Sequence, residues 1–400
     1  MKILVVSQFY WPEHFQVTDI CESLVERGHS VTVLTGLPNY PSGVIYEGYR
    51  SGQNRNQIKN GVRIVRAPLV PRGKNPLQLA LNYHSFAISA KRVVGRLDSD
   101  FDVVYVYGMS PVMMAEPALL YKKINGTPIL FYCLDLWPES LKAVLGNHLS
   151  CIVKLYGRVS KRIYSAVDHI AVQSPAFIDY FSEYHGIPTS KMSVLPQYAD
   201  SDYLTRSFSK DHDGINFLIT GNMGRAQDIP VVLRAVKEMR HRDGFAVHFV
   251  GGGSCFEDTS REIKELKLEN RVFLHGPKPY EEMPSYLSIA DACLLTLDGS
   301  TWIGATVPAR LQGYMAAGKP VLAAINGGSK TVIEEARCGG VVRAGDSIGL
   351  AALMDDFIDH PEAYSSCGSN SRSYFVAHFL KDKHLDSLEL MLQKLVGERI

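Results

Sequence analysis

The segment Thr220-Gly-Asn-Met-Gly-Arg-Ala-Gln-Asp228 holds residue types suited to binding phosphate. It follows a short apolar run and precedes a helical one. Gly221 and Gly224 permit a tight turn and close approach of backbone to ligand, and amides at a helix start attract anions. Arg225 adds a positive charge, while Asn222 and Gln227 add neutral donors. A second segment runs from Gly304 to Val321. Thr306, Val307 and Pro308 read there as a helix entry, with Pro just inside the start. Arg310 falls in the first turn, and the helix closes at Gly318. Two phosphate-friendly helix starts favour a ligand built around a diphosphate. In a third segment, from Asn270 to Leu294, an apolar run ends in His275-Gly276. Backbone groups at Pro277 and Lys278 could read a nucleobase. Each segment alone also reads as an ordinary turn between strand and helix.

The first half offers carboxylates. Asp135 and Glu139 stand in Asp135-Leu-Trp-Pro-Glu-Ser140, just past an apolar run. That is where an open α/β sheet places its site, at the carboxyl ends of the strands. They are the acid/base candidates of this half, and Trp137 between them could pack against a flat ligand face or simply cap the core. Glu13 and His14 follow the first apolar run. Asn39, Tyr40 and Tyr107 are further candidates for contact with an acceptor.

The elements that must position these residues alternate. Runs at 2–7, 29–35, 62–67, 103–107, 128–134 and 169–173 read as strands, the first a continuous Ile-Leu-Val-Val of the buried parallel kind. Helical spacing separates them at 17–27, 77–97, 111–124 and 152–167. The pattern breaks near 193–203 and restarts, with strands at 216–220, 246–251, 272–275, 292–296, 320–324 and 341–342. The last stretch, from about 349, is mostly helical. The expected fold is α/β, with two doubly wound domains facing each other across a cleft. The expected boundaries are 1–197, 198–372 and a helical segment at 373–400 that could cross back to the first domain.

Composition excludes other classes. The chain has 400 residues, 46% hydrophobic and 21% charged, with 33 Gly and 20 Pro scattered along it. No apolar run reaches the roughly 18 residues that span a bilayer, so a cytoplasmic protein is expected. Seven cysteines without a C-x-x-C pair argue against disulfide and zinc frameworks. Residues 1–198 carry 20 Lys and Arg against 14 Asp and Glu, while residues 199–400 carry 22 against 27. The asymmetry is too mild for nucleic acid. It fits a first half that meets an anionic surface or acceptor.

The three segments of the second half, in this order, resemble the carboxyl-terminal domain of family 4 glycosyltransferases with the GT-B fold. In the first half, Phe9-Tyr-Trp-Pro-Glu13, Glu26-Arg-Gly-His-Ser-Val-Thr-Val-Leu-Thr-Gly-Leu-Pro-Asn-Tyr-Pro41 and Asp135-Leu-Trp-Pro-Glu-Ser140 are similar to a subgroup that assembles bacterial surface polysaccharides, L-fucosamine transferases among them. The resemblance implies two Rossmann-like domains and retaining transfer from a UDP-sugar to a lipid-linked saccharide, with no metal and no cofactor in the chemistry. It implies a second domain that holds the donor through Gly221, Asn222, Met223, Gly224, Gln227, Pro277, Lys278, Thr306 and Val307. Arg225 and Arg310 would stabilise the leaving diphosphate, with the amides of Gly221 to Gly224. The family commonly has two Glu before Met-Ala-x-Gly, and here Ala305 and Gly313 take those positions. Gln312, or Glu334 and Glu335, would inherit their contacts.

Helices at 75–96 and 152–164 carry Lys91, Arg92 and Arg96, and Lys154, Arg158, Lys161 and Arg162, among apolar residues. Basic amphipathic helices suit anionic headgroups. They imply peripheral attachment to the inner membrane surface, although ordinary packing on a sheet would look the same. A nucleotide-sugar 2-epimerase and a non-catalytic nucleotide-binding homologue stay open as alternatives.

Overall fold

The computed structural model describes residues 1–73, 75–145, 150–208, 212–299, 302 and 306–398. The chain forms two compact units. One comprises Met1–Leu195 with Leu385–Ile400, the other Pro196–His384.

The first unit is built on an eight-stranded sheet. Its strands are β1 (Lys2–Val6), β2 (Ser30–Thr35), β3 (Asn56–Lys59), β4 (Val62–Arg66), β5 (Val103–Gly108), β6 (Ile129–Cys133), β7 (His169–Val172) and β8 (Met192–Val194). The order is β3-β4-β2-β1-β5-β6-β7-β8. All neighbours are parallel except β3 and β4. Ile3, Leu4, Val5 and Val6 are fully buried, because β1 is central and covered on both faces. The connection reverses direction between β1 and β5, so their carboxyl ends diverge and leave room for a ligand. The two short strands β3 and β8 escape a reading by apolar runs. β3 is an edge strand of polar sequence, and β8 has three residues.

The second unit has six parallel strands: β9 (Ile215–Thr220), β10 (Phe245–Val250), β11 (Val272–Leu274), β12 (Ala292–Thr296), β13 (Val321–Ala324) and β14 (Gly339–Val342), in the order β11-β10-β9-β12-β13-β14. Alternation along the strands divides the core into two faces. Phe217, Ala292 and Leu294 pack with helix Ile229–Glu238 on one side. Leu218, Cys293 and Leu295 pack with helix Ala309–Ala316 on the other. The direction reverses between β9 and β12, the strands that precede the glycine turn and the second segment.

The helix Lys381–Gly397 starts in the second unit and continues in the first. Its leucines 385, 388 and 392 are buried. Glu389 accepts from Arg27 and pairs with His29, both at 2.6 Å, beside the start of β2. No described helix is long and apolar enough to cross a membrane.

Candidate functional site

In the second unit the glycine turn leaves the carboxyl end of β9. Gly221 takes φ +96°, and its amide donates to the Val250 carbonyl at 2.8 Å. The Met223 amide donates to Gly252 at 2.9 Å, and the Cys255 amide donates back to the Met223 carbonyl. β10 ends in Gly251-Gly252-Gly253. A Cβ on Gly251, at φ +150°, would come within 1.9 Å of the Gly221 carbonyl oxygen, and one on Gly253 within 2.6 Å of the Asn222 side chain. Only glycine lets the two turns stack backbone on backbone. Gln227 Oε1 accepts the Gly224 amide at 2.9 Å. The expectation that the amides from Gly221 to Gly224 cradle the ligand is therefore corrected. Three of the four serve the turn itself. The amides of Asn222, Arg225 and Ala226 find no acceptor among the described residues.

Arg310 enters from the first turn of helix Ala309–Ala316. Its Nη2 donates to the Asn222 carbonyl at 2.9 Å, and the guanidinium lies over Gly221. Arg225 is exposed on the same turn. Neither arginine has an acidic partner among the described residues. Two unpaired cations beside free amides form an anion site suited to a diphosphate. Next to the turn opens a cavity of about 570 Å³, lined by Asp228, Asp298, Asn326, Arg343 and Asp346. Burial pushes the Asp228 carboxyl up from its ordinary value. Sequence reading missed this cavity, because its residues stand in four separate loops and only the parallel sheet gathers them.

The other donor-side expectations divide. Pro277 packs on Gly252, so the loop after β11 reaches the glycine end of β10. Lys278 lies 3.7 Å from Glu282. The Thr306 carbonyl accepts from Ser329 Oγ at 2.8 Å. Met223 and Val307 put their side chains into the core. Gln312 is buried and donates to the Gln197 carbonyl at 2.5 Å, holding the chain that enters this unit. Glu335 lies near the carboxyl end of helix Gly327–Ala336 and accepts from Tyr374 Oη at 2.9 Å. That is about 12 Å along the helix from its start after β13, so Glu335 is not brought to the strand ends. Ala305 lies outside the described residues.

In the first unit a cavity of about 260 Å³ opens at the carboxyl ends of β1, β2, β5 and β6. Phe9, Phe15, Tyr40, Tyr83 and Trp137 supply aromatic faces, and Asp135, Arg72 and Ser110 supply polar groups. The Ser110 amide donates to Asp135 Oδ2 at 2.9 Å, and Trp137 Nε1 donates to Ser110 Oγ at 2.8 Å. Burial raises the Asp135 carboxyl above its ordinary value, against the Ser110 hydrogen bonds that lower it. The Arg72 guanidinium lies 5.5 Å from the centre of the Tyr40 ring. Aromatic faces around one carboxylate can hold a saccharide and accept a hydroxyl proton.

Several acceptor-side expectations are corrected here. Glu139 is buried, pairs with Lys142 at 2.6 Å and lies 3.5 Å from Tyr180 Oη, away from the cavity lining. Tyr107 is a core residue packed against Tyr105 and Tyr132. Glu13 and Asn39 are buried scaffold. Glu13 accepts the Asn39 and Tyr40 amides at 2.7 Å, and Asn39 Oδ1 accepts the Arg72 amide at 2.7 Å. They hold Tyr40 and Arg72 without facing a ligand. His14 is exposed and lies outside the cavity lining. Phe15, Arg72, Tyr83 and Ser110 were missed, since nothing in their local spacing marks them.

The basic helices also differ from expectation. On helix Ser150–Ala166, Val153, Ile163 and Tyr164 are buried, because the sheet needs that face covered. Arg162 pairs with Glu116, which also pairs with Lys91 at 2.8 Å. Helix Pro76–Val94 exposes Leu77, Leu81 and Ile88, and helix Ser150–Ala166 exposes Leu155.

Residues 14–197 match the family model described as glycosyl transferase 4-like domain, and residues 201–374 the one described as glycosyl transferases group 1. The chain belongs to the glycosyl transferases that these two models describe. A relative of this glycosyltransferase is WcaI of Escherichia coli (strain K12), assigned to colanic acid biosynthesis. It is 24% identical over 80% of this chain and 82% of its own. Sucrose-phosphate synthase from Thermosynechococcus elongatus shares the fold, with TM-score 0.75, 16% identity and coverage of 99% of both chains. So does Anabaena HepE, solved in complex with UDP, with TM-score 0.71, 16% identity and coverage of 98% of this glycosyltransferase and 100% of that chain.

Proposed function

We propose that the protein is a retaining glycosyltransferase that moves an N-acetylated deoxyhexosamine such as L-FucNAc from a UDP-sugar to a lipid-linked saccharide, in the synthesis of O-antigen, capsule or exopolysaccharide. The observation that carries the reading is the pair of cations, Arg225 and Arg310, left without acidic partners at the turn after β9. The polysaccharide assignment of WcaI and the UDP bound to HepE support the pathway and the nucleotide. The L-FucNAc preference rests on the first-half motifs alone.

In this reading the diphosphate lies against Arg310, Arg225 and the free amides of the turn. The bond from the anomeric carbon to the diphosphate oxygen breaks, and charge develops on that oxygen. Fixed cations stabilise it most where charge is greatest, in the transition state. The acceptor hydroxyl oxygen forms the new bond to the same carbon on the face that the diphosphate leaves, so the configuration is retained. The hydroxyl proton passes to a carboxylate, a role this reading gives to Asp135. The reaction needs no metal. The protein works at the inner face of the membrane, which the exposed apolar residues of helix Pro76–Val94 meet.

The test is calorimetric titration with UDP and GDP, with and without a divalent metal, followed by turnover with a lipid-linked acceptor. UDP is expected to bind without metal, and Arg310→Ala to weaken it roughly tenfold to a hundredfold, the scale of a hydrogen bond to a charged group. Unchanged UDP affinity in folded Arg310→Ala would remove the turn from the donor site. A preference for GDP would keep the transferase and change its donor.

A further inference from the structure

Away from the aromatic cavity, the first unit has a second cleft, of about 560 Å³, between the edge of the sheet and the end of helix Pro76–Val94. Arg55, Asn56, Arg63 and Arg66 line it from the β3–β4 edge, and Val93 and Arg96 from the helix. The four arginines differ in what they already hold. Arg66 is buried, and its guanidinium donates to the Trp11 carbonyl at 2.7 Å. Arg63 pairs with Asp98 at 2.6 Å. Arg55 is half-buried and Arg96 exposed, and neither has a side-chain partner among the described residues.

The sequence around the cleft is one-sided. From position 48 to position 97 the chain carries ten Lys and Arg and no Asp or Glu. Fifty residues that fold into one sheet edge and one helix thus bring no carboxylate of their own to the cleft. Like charges gathered in a concave site repel, and an anion relieves that repulsion. Apolar side chains stand exposed on the same elements: Ile58 on β3 is 79% exposed, and Leu77 on the helix is 72% exposed. Cations in a cleft, flanked by exposed apolar groups, match the chemistry of a phosphate headgroup with its acyl chains beside it.

We propose that this cleft binds the phosphate of an anionic lipid headgroup, with Arg55 and Arg96 as its free cations and Arg63 as a third, shared with Asp98. The proposal rests on the reading of a membrane-linked acceptor, and it assigns the contact to one cleft of the first unit. The helix Ser150–Ala166, whose Val153, Ile163 and Tyr164 are core, then plays the smaller part.

The test uses the full chain, co-sedimented with vesicles of phosphatidylcholine alone and of phosphatidylcholine with phosphatidylglycerol. Inorganic pyrophosphate is titrated beside them, and UDP affinity reports folding of every variant. The wild type is expected to bind only the anionic vesicles. Arg55→Gln/Arg96→Gln should weaken that binding roughly thirtyfold, while Lys154→Gln/Arg158→Gln shifts it far less. Binding of Arg55→Gln/Arg96→Gln equal to wild type overturns the cleft and leaves the membrane reading standing. A wild type that ignores both vesicles and pyrophosphate overturns both. Arginine-dependent binding of pyrophosphate without vesicle binding overturns the lipid and makes the cleft a site for a soluble phosphate. UDP binding retained in any of these cases leaves the transferase reading intact.

Discussion

Asp135 shows how one side chain can be set against its own fold. Burial disfavours its charge, so the native state holds the proton more tightly than the unfolded chain does. Its contribution to stability is therefore greatest in acid. It declines as pH rises from the ordinary value of 3.8 through the raised native value. Asp135→Asn should remove that decline and raise the midpoint of thermal unfolding at pH 7. If Asp135 accepts the acceptor proton, the same variant should lose about 10²- to 10⁴-fold in transfer rate. Unfolding curves at pH 4 and pH 7, with a turnover assay, check both halves. At this scale the sequence showed types and not directions. Asp135 and Glu139 stand four residues apart and read alike. The fold turns one into the cavity and hands the other to Lys142. Tyr107 and Tyr40 were equally indistinct until burial separated them.

At the scale of elements, the turn after β9 depends on the end of β10. Gly251→Ala should lose most UDP binding, because its Cβ cannot share space with the Gly221 carbonyl. Titration of the folded variant with UDP tests this, with circular dichroism to confirm the fold. Gly313 is the opposite case. It lies inside helix Ala309–Ala316, and the nearest atom to a Cβ there is a Tyr203 ring carbon at 3.9 Å. Gly313→Ala should stabilise by about 0.5–1 kcal/mol, the usual cost of a mid-helix glycine. Denaturant unfolding reads that shift. Elements were the legible scale, because long apolar runs and 3.6-residue spacing report burial directly. β3 was not legible, since an edge strand half in water needs no apolar run. Helix Ser150–Ala166 is amphipathic as read, with Val153, Ile163 and Tyr164 buried and Leu155 exposed. Periodicity shows that a face is apolar and leaves open whether sheet or lipid covers it.

For the whole molecule, the last helix matters most. Leu388 is fully buried, and Leu388→Ala should cost about 2–5 kcal/mol, read as an earlier denaturant midpoint. Burial raises the Glu389 carboxyl, but hydrogen bonds from His29 and Arg27 outweigh this and hold it below its ordinary value. The stability it adds is present above the usual Glu range and is lost as pH falls through the lowered native value. Glu389→Gln should flatten that acid limb, which unfolding midpoints across pH 3–6 would show. A helical end that could cross back to the first domain was expected, but its partners were not legible, because residues hundreds of positions apart leave no local trace. The first unit is assembled from both ends of the chain. On the ribosome it cannot be complete when its first stretch, Met1–Leu195, has emerged. It must wait, with a gap beside β2, until the second unit has been synthesised and the closing helix arrives. A mutation that slows the second unit should then delay the first, even where the two share no side-chain contact.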